Sequence, residues 1–148
     1  MTTEYDADDA FALIVASFRK VIGKELVDHP FDGRWLYENA PFALLAHDRS
    51  DDPRFFYANK TAQACFGYSW QEFIGMPSRL SAEAPNREER QRLLDSVSTK
   101  GFIDSYRGLR IAKSGRRFWI ENAIVWQLVR ANGEHAGQAA MFHSWKDL

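Results

Sequence analysis

A single cysteine, Cys65, stands in the 148 residues, so no internal disulfide can hold the fold, and a reducing compartment suits the chain. No charge dominates either: 19 basic residues face 20 acidic ones, leaving no global field to draw nucleic acid or an anionic membrane. Long apolar runs are missing. The longest early one, Ala10 to Ala16, is far short of the roughly 20 residues that span a bilayer. The start is acidic (Glu4, Asp6, Asp8, Asp9), the reverse of an export signal's basic start. A cytoplasmic protein without membrane or nucleic-acid partners is the expectation. The histidines His29, His47, His135 and His143 stand in no zinc spacing with Cys65, so no metal is expected.

What is present suits one globular core. Hydrophobic residues make up 45% and aromatics 14%, well clear of disordered composition, in a chain of single-domain length. No repeat or low-complexity stretch interrupts it.

Phe11, Ile14, Val15, Phe18, Val21, Ile22 and Leu26 recur at helical spacing, predicting an amphipathic helix over 9–27 stopped at His29-Pro30. Residues 1–30 are therefore expected to be a helical cap or dimerisation element, and 31–148 a separate domain. Residues 30–41 read as a connector. Phe42 to His47 and Arg54 to Ala58 read as two antiparallel strands. Asn59 can cap a helix ended by Gly67, and Ser69 with Glu72 has capping-box spacing for a second. Asn86 with Glu89 repeats that spacing for a third, which carries Leu93, Leu94 and Val97. Strands over 103–112, 117–129 and 134–145 then follow, joined by Lys113-Ser-Gly-Arg116 and by Asn132-Gly133.

Alternation places Phe118, Ile120, Asn122, Ile124, Trp126 and Leu128 on one face of 117–129. The other face is also largely apolar, so both need a cover. The short helices can cover one face and enclose a cavity; the N-terminal helix can cover the other, or a partner's sheet.

Several blocks resemble the PAS pattern: Tyr57-Ala-Asn-Lys-Thr-Ala62, Cys65-Phe-Gly-Tyr68, Glu72-Phe-Ile-Gly75 and the Lys113 to Trp119 hairpin. Asp52-Pro-Arg-Phe-Phe-Tyr-Ala-Asn59, Pro77-Ser-Arg-Leu-Ser-Ala-Glu83, Asn86-Arg-Glu-Glu-Arg90 and Gly137-Gln-Ala-Ala-Met141 resemble the PAS-related MEKHLA family more closely. That resemblance implies an α+β fold: a five-stranded antiparallel sheet with short helices on one face and an N-terminal amphipathic helix. It implies a sensory or interaction role and names no ligand.

Flavin-binding light sensors of the PAS group carry a cysteine in a G-x-N-C-R-F-L-Q helix, and nothing here matches it. Arg110, Ile120 and Phe142 stand where their strand amides would sit, so flavin is disfavoured. Haem is disfavoured because no histidine falls within the three short helices. Strand parity turns Tyr106, Arg110, Asn122 and Gln138 toward Ile120, Ile124 and Phe142; with Cys65 these are the candidate pocket residues. Buried polar groups require partners. The lining suits a small organic anion with Arg110 as counter-charge, or Arg110 pairs internally with Asp104 or Glu83. Glu121 and His143 share parity on neighbouring strands, so a carboxylate–imidazole pair is possible, but on the face opposite the cavity. No catalysis is expected. Arg87, Arg90 and Arg92 on one helix, and Lys113, Arg116 and Arg117 at a hairpin, read as solvated faces offset by acids. The expected function is a stand-alone PAS-like sensory domain that binds a small ligand, a protein partner or both, and acts through a homodimer or a protein partner docked on the N-terminal helix and outer sheet face. The alternative is a pure protein–protein interaction domain.

Overall fold

The structure, a computed structural model, describes residues 8–148; Glu4 and Asp6, expected ahead of the first helix, lie outside the described residues. Helix α1 runs Asp8–Ile22, shorter than its periodicity predicts. Gly23, in the left-handed region at φ 83°, ends it, well before Pro30. Residues read as connector form α2 (Gly33–Glu38), capped by Asp32, whose carboxylate accepts from the Trp35 amide.

The remaining elements follow in the expected order. They are β1 (Ala43–His47), β2 (Phe55–Ala58), α3 (Lys60–Phe66), α4 (Trp70–Phe73), a 3-10 turn (Ser78–Ser81) and α5 (Ala84–Lys100). Then come β3 (Phe102–Ile111), β4 (Arg117–Val129), β5 (His135–Phe142) and β6 (Ser144–Asp147). The sheet order is β2-β1-β5-β4-β3, antiparallel throughout, so the first hairpin docks beside the late strand β5. Among the described residues no helix is long and apolar enough to cross a membrane.

The sheet has six strands rather than five, and the reason lies in β4. Tyr106 pairs with Ala123 and Gly108 with Ile120, so two steps on β3 match three on β4. The extra residue falls at Glu121–Asn122, and Asn122 takes φ 51° to absorb it. Beyond that bulge β4 pairs with β5; before it, with β6. The strand expected over 134–145 is thus divided at His143, opposite the bulge. A second bulge, on β3, places Ser105 at φ 55°.

One extra residue inverts alternation. Phe118 and Ile120 face inward with Ala123 and Val125, whereas Ile124, Trp126 and Leu128 face outward. The single-face assignment for 118–128 is therefore corrected at its midpoint.

Helix α1 lies on its own sheet's outer face. Phe18 packs edge-on against Trp126 at 4.9 Å, and Trp126 Nε1 donates to the Ile14 carbonyl at 3.4 Å. The Val129 amide donates to Ser17 Oγ at 2.8 Å, and that hydroxyl donates back to the Val129 carbonyl at 3.2 Å. These polar contacts fix the helix's register on an otherwise apolar surface. Asn59 does more than cap α3. Its Oδ1 accepts from the Ala62 and Leu44 amides and its Nδ2 donates to the Leu36 and Phe42 carbonyls, each near 3.0 Å. One fully buried side chain so ties α2, β1 and α3 together.

Candidate functional site

Between α5 and the sheet's inner face lies a cavity of about 60 Å³, room for a few waters or a handful of heavy atoms. Its wall is mostly apolar: Leu45, Phe55, Phe66, Ile120 and Phe142. Into this wall come His47 from β1, Arg90 from α5, Tyr106 and Arg110 from β3, and Gln138 from β5.

Tyr106, Gly108 and Arg110 alternate on one face of β3. A Cβ on Gly108 would stand 2.3 Å from the Tyr106 hydroxyl and 2.8 Å from an Arg110 guanidinium nitrogen. The missing side chain is the space in which those two groups meet. Arg110 donates to the Tyr106 hydroxyl at 3.1 Å and to the Leu109 carbonyl at 2.9 Å. The Tyr106 hydroxyl donates to the Glu89 carboxylate, both oxygens 3.0 Å away. Arg90 donates to Ser78 Oγ at 2.7 Å.

Arg90 and Arg110 are each about 7% exposed, and among the described residues neither has a carboxylate within ion-pair distance. Glu83, one expected partner of Arg110, is held instead by Arg117 at 2.6 Å, and Asp104, the other, is exposed. Burial, reinforced by the neighbouring Arg110 charge, brings Arg90 down to about 10, still cationic at neutral pH. Burial and then Arg90 drive His47 down to about 3, so its imidazole is neutral. Burial raises the Tyr106 phenol, although Arg110 opposes this. The cavity therefore holds two fixed cations; Glu89 accepts from Tyr106 and offsets the Arg90 charge only weakly.

Gln138 donates from Nε2 to the Leu94 carbonyl at 2.9 Å and to Ser98 Oγ at 3.1 Å. Its Oε1 is buried without a partner, as is Oε1 of Gln127, the residue across from it on β4.

Of the eight expected pocket residues, Tyr106, Arg110, Ile120, Gln138 and Phe142 line this cavity. Asn122 and Ile124 do not: the bulge leaves Asn122 exposed and turns Ile124 to the outer core. Cys65 is on the buried side of α3, off the cavity, and burial pushes its thiol up to about 12. Its carbonyl accepts from Arg116. Glu121 and His143 are not brought together. Glu121 pairs with Arg107 at 3.5 Å, and the exposed His143 ring lies against Phe42.

Three contributors escape the sequence reading: Arg90, His47 and Glu89. The sequence groups Arg90 with solvated arginines, yet it sits three residues before Leu93 and seven before Val97, on the buried face of α5. That spacing is the signal that finds it. The spacing of Glu89 from Asn86 predicts a capping box. The helix starts earlier, at Ala84 with Pro85 in its first turn, and Glu89 instead receives the Tyr106 hydroxyl. Among the described residues no group of histidine, cysteine and acidic side chains could hold a metal ion.

The chain belongs to the MEKHLA domain family, whose domain it matches over residues 8–147. No curated protein matches it. Among solved structures it is similar to a PAS domain of a protein from Colwellia psychrerythraea, at TM-score 0.66 and 19% identity over 78% of this chain and 92% of that one. It is similar to a light-oxygen-voltage domain studied with a flavin analogue, at TM-score 0.58 and 16% identity over 72% and 76%. It also resembles an RNA-binding light-oxygen-voltage receptor, at 0.62 and 18%, over 82% of this chain but 37% of that one. The fold is thus that of PAS and light-oxygen-voltage sensory domains.

Proposed function

We propose that this domain senses a small organic anion held between Arg90 and Arg110, and signals its occupancy through association with another protein or a second copy. The observation that carries this reading is the pair of buried guanidinium groups on one cavity without an acid of their own. A buried charge lacking a partner costs several kcal/mol, and an arriving anion removes that cost. Neutral His47 adds no repulsion of its own and can donate or accept a hydrogen bond. α5 supplies Arg90 and also Glu89, so an anion that takes Arg110 from Tyr106 competes with the link between β3 and α5. Occupancy would reach the surface by that route.

The cavity's volume supports a ligand of a few heavy atoms rather than a flavin, since pockets for drug-sized ligands are roughly 300–1,000 Å³. The Cys65 thiol, off the cavity, adds no support for a flavin adduct. The same small volume favours a second reading, an interaction domain whose cavity holds only water.

Native mass spectrometry of the purified chain separates the two by showing a bound organic acid or none. In the ligand-binding case Arg110→Ala should weaken the identified acid at least 30-fold, as expected when one side of a buried charged contact is lost. Unchanged affinity would sink the proposal.

A further inference from the structure

The sensing reading leaves Gln138 unexplained. This side chain is about 7% exposed, lines the cavity, and has an oxygen that accepts nothing. Its amide cannot simply be turned round: the Leu94 carbonyl only accepts, so the nitrogen must face it and the oxygen must face away. A buried acceptor left without a donor is costly, and Gln127, the strand partner of Gln138, has an unpaired oxygen too. The groups on this cavity therefore ask for two things at once, negative charge at Arg90 and Arg110 and a hydrogen-bond donor at Gln138.

Resting on the anion-sensing reading, we infer that the ligand is a short hydroxycarboxylate, its carboxylate on Arg90 and Arg110 and its hydroxyl donating to Gln138 Oε1. An ionised carboxylate has no proton to donate, so a simple fatty acid leaves Gln138 as it is. An ammonium could donate, but it would enter a cavity that already holds two cations. A hydroxyl donates without charge. The apolar wall of Leu45, Phe55, Phe66, Ile120 and Phe142 suits a short carbon chain better than a fully polar oxyanion, and about 60 Å³ limits that chain to a few atoms.

Titration calorimetry on the full chain, at matched ionic strength, tests this with lactate, propionate and inorganic phosphate. Lactate should bind about tenfold tighter than propionate, the worth of one hydrogen bond to a buried acceptor. Gln138→Met should narrow that gap; because this variant also strips a bond from Leu94, the two ligands on the unaltered chain stand as a test without it. Equal affinity for lactate and propionate overturns the hydroxyl assignment and leaves the anion reading intact. Phosphate binding as tightly as lactate overturns the carboxylate class. If none of the three binds the unaltered chain or Arg110→Ala, both readings fall.

Discussion

On the sheet's outer face, Trp126 is fully buried against Phe18 and bonded to the Ile14 carbonyl, and Leu44, Leu128 and Met141 belong to the same apolar core. On the inner face of the sheet, beneath α5, Arg90 and Arg110 are buried without acids, His47 is held neutral, and two glutamine oxygens go unpaired. One side uses burial and satisfied bonds; the other carries unfavourable terms that only a cavity, water or a ligand can relieve. Such terms are tolerated where the rest of the fold holds a surplus of stability, and they mark function more often than error. Substitutions on the two faces should therefore change stability with opposite signs.

The outer face supplies the largest change. Trp126→Ala removes the side chain against which α1 docks and should cost about 3–5 kcal/mol in urea unfolding, the range for large aromatic truncations in cores. A loss below about 1 kcal/mol would show that α1 is held by other contacts and that the outer face is not the stabilising one.

The inner face should respond the other way. Arg90→Met replaces an unpaired buried guanidinium by an apolar chain of similar length, and a gain of about 1–3 kcal/mol in the ligand-free protein is expected. Only the bond to Ser78 is given up. Anion binding should be lost in the same variant, separating stability from function. Destabilisation would mean that Arg90 is satisfied as it stands, which would remove half the basis for the proposed site.

His47 offers a smaller test with a definite sign. Its folded pKa is about 3 and its ordinary value 6.5, so below pH 6.5 the unfolded chain takes up a proton that the folded chain refuses. This contribution to stability is complete above pH 6.5 and is lost as pH falls toward 3, at up to about 1.4 kcal/mol per pH unit. His47→Leu should flatten that limb between pH 6.5 and 5. Unfolding curves that fall equally steeply in both proteins would place the acid sensitivity elsewhere.

The order of elements was legible because each boundary has local chemistry: Asn59 at a cap, Ser69 with Glu72 in a capping box, glycine at the β3–β4 turn, Asn132-Gly133 in the next. These act over a few residues and need no partner strand. The bulge at Glu121–Asn122 was not legible, because register is a property of two strands and alternation within one cannot reveal an inserted step. On β3 and β4 the candidates expected before the bulge, Tyr106, Arg110 and Ile120, line the cavity, whereas the two expected at or after it on β4, Asn122 and Ile124, do not. Arg90 failed for a different reason. A lone charge on a mostly polar helix is ordinarily solvated, and only its spacing to Leu93 and Val97 argued otherwise.

The bulge itself makes the finest distinction between the faces, since it decides which side chains belong to which. Asn122 is exposed, so replacing it changes little burial and isolates the backbone term. Strand propensity alone holds that Asn122→Val should stabilise β4, because valine suits extended backbone and asparagine does not. The left-handed conformation at φ 51° reverses this: asparagine tolerates it through its short polar side chain, whereas a β-branched residue there is a steric outlier. A loss of about 1 kcal/mol is expected in urea unfolding, with Asn122→Gly close to neutral because its freedom from strain is offset by its unfolded-state entropy. A stabilised Asn122→Val would mean that β4 runs straight. Ile124 would then return to the inner face, and the division between dry core and charged cavity would have to be drawn again from the strand outward.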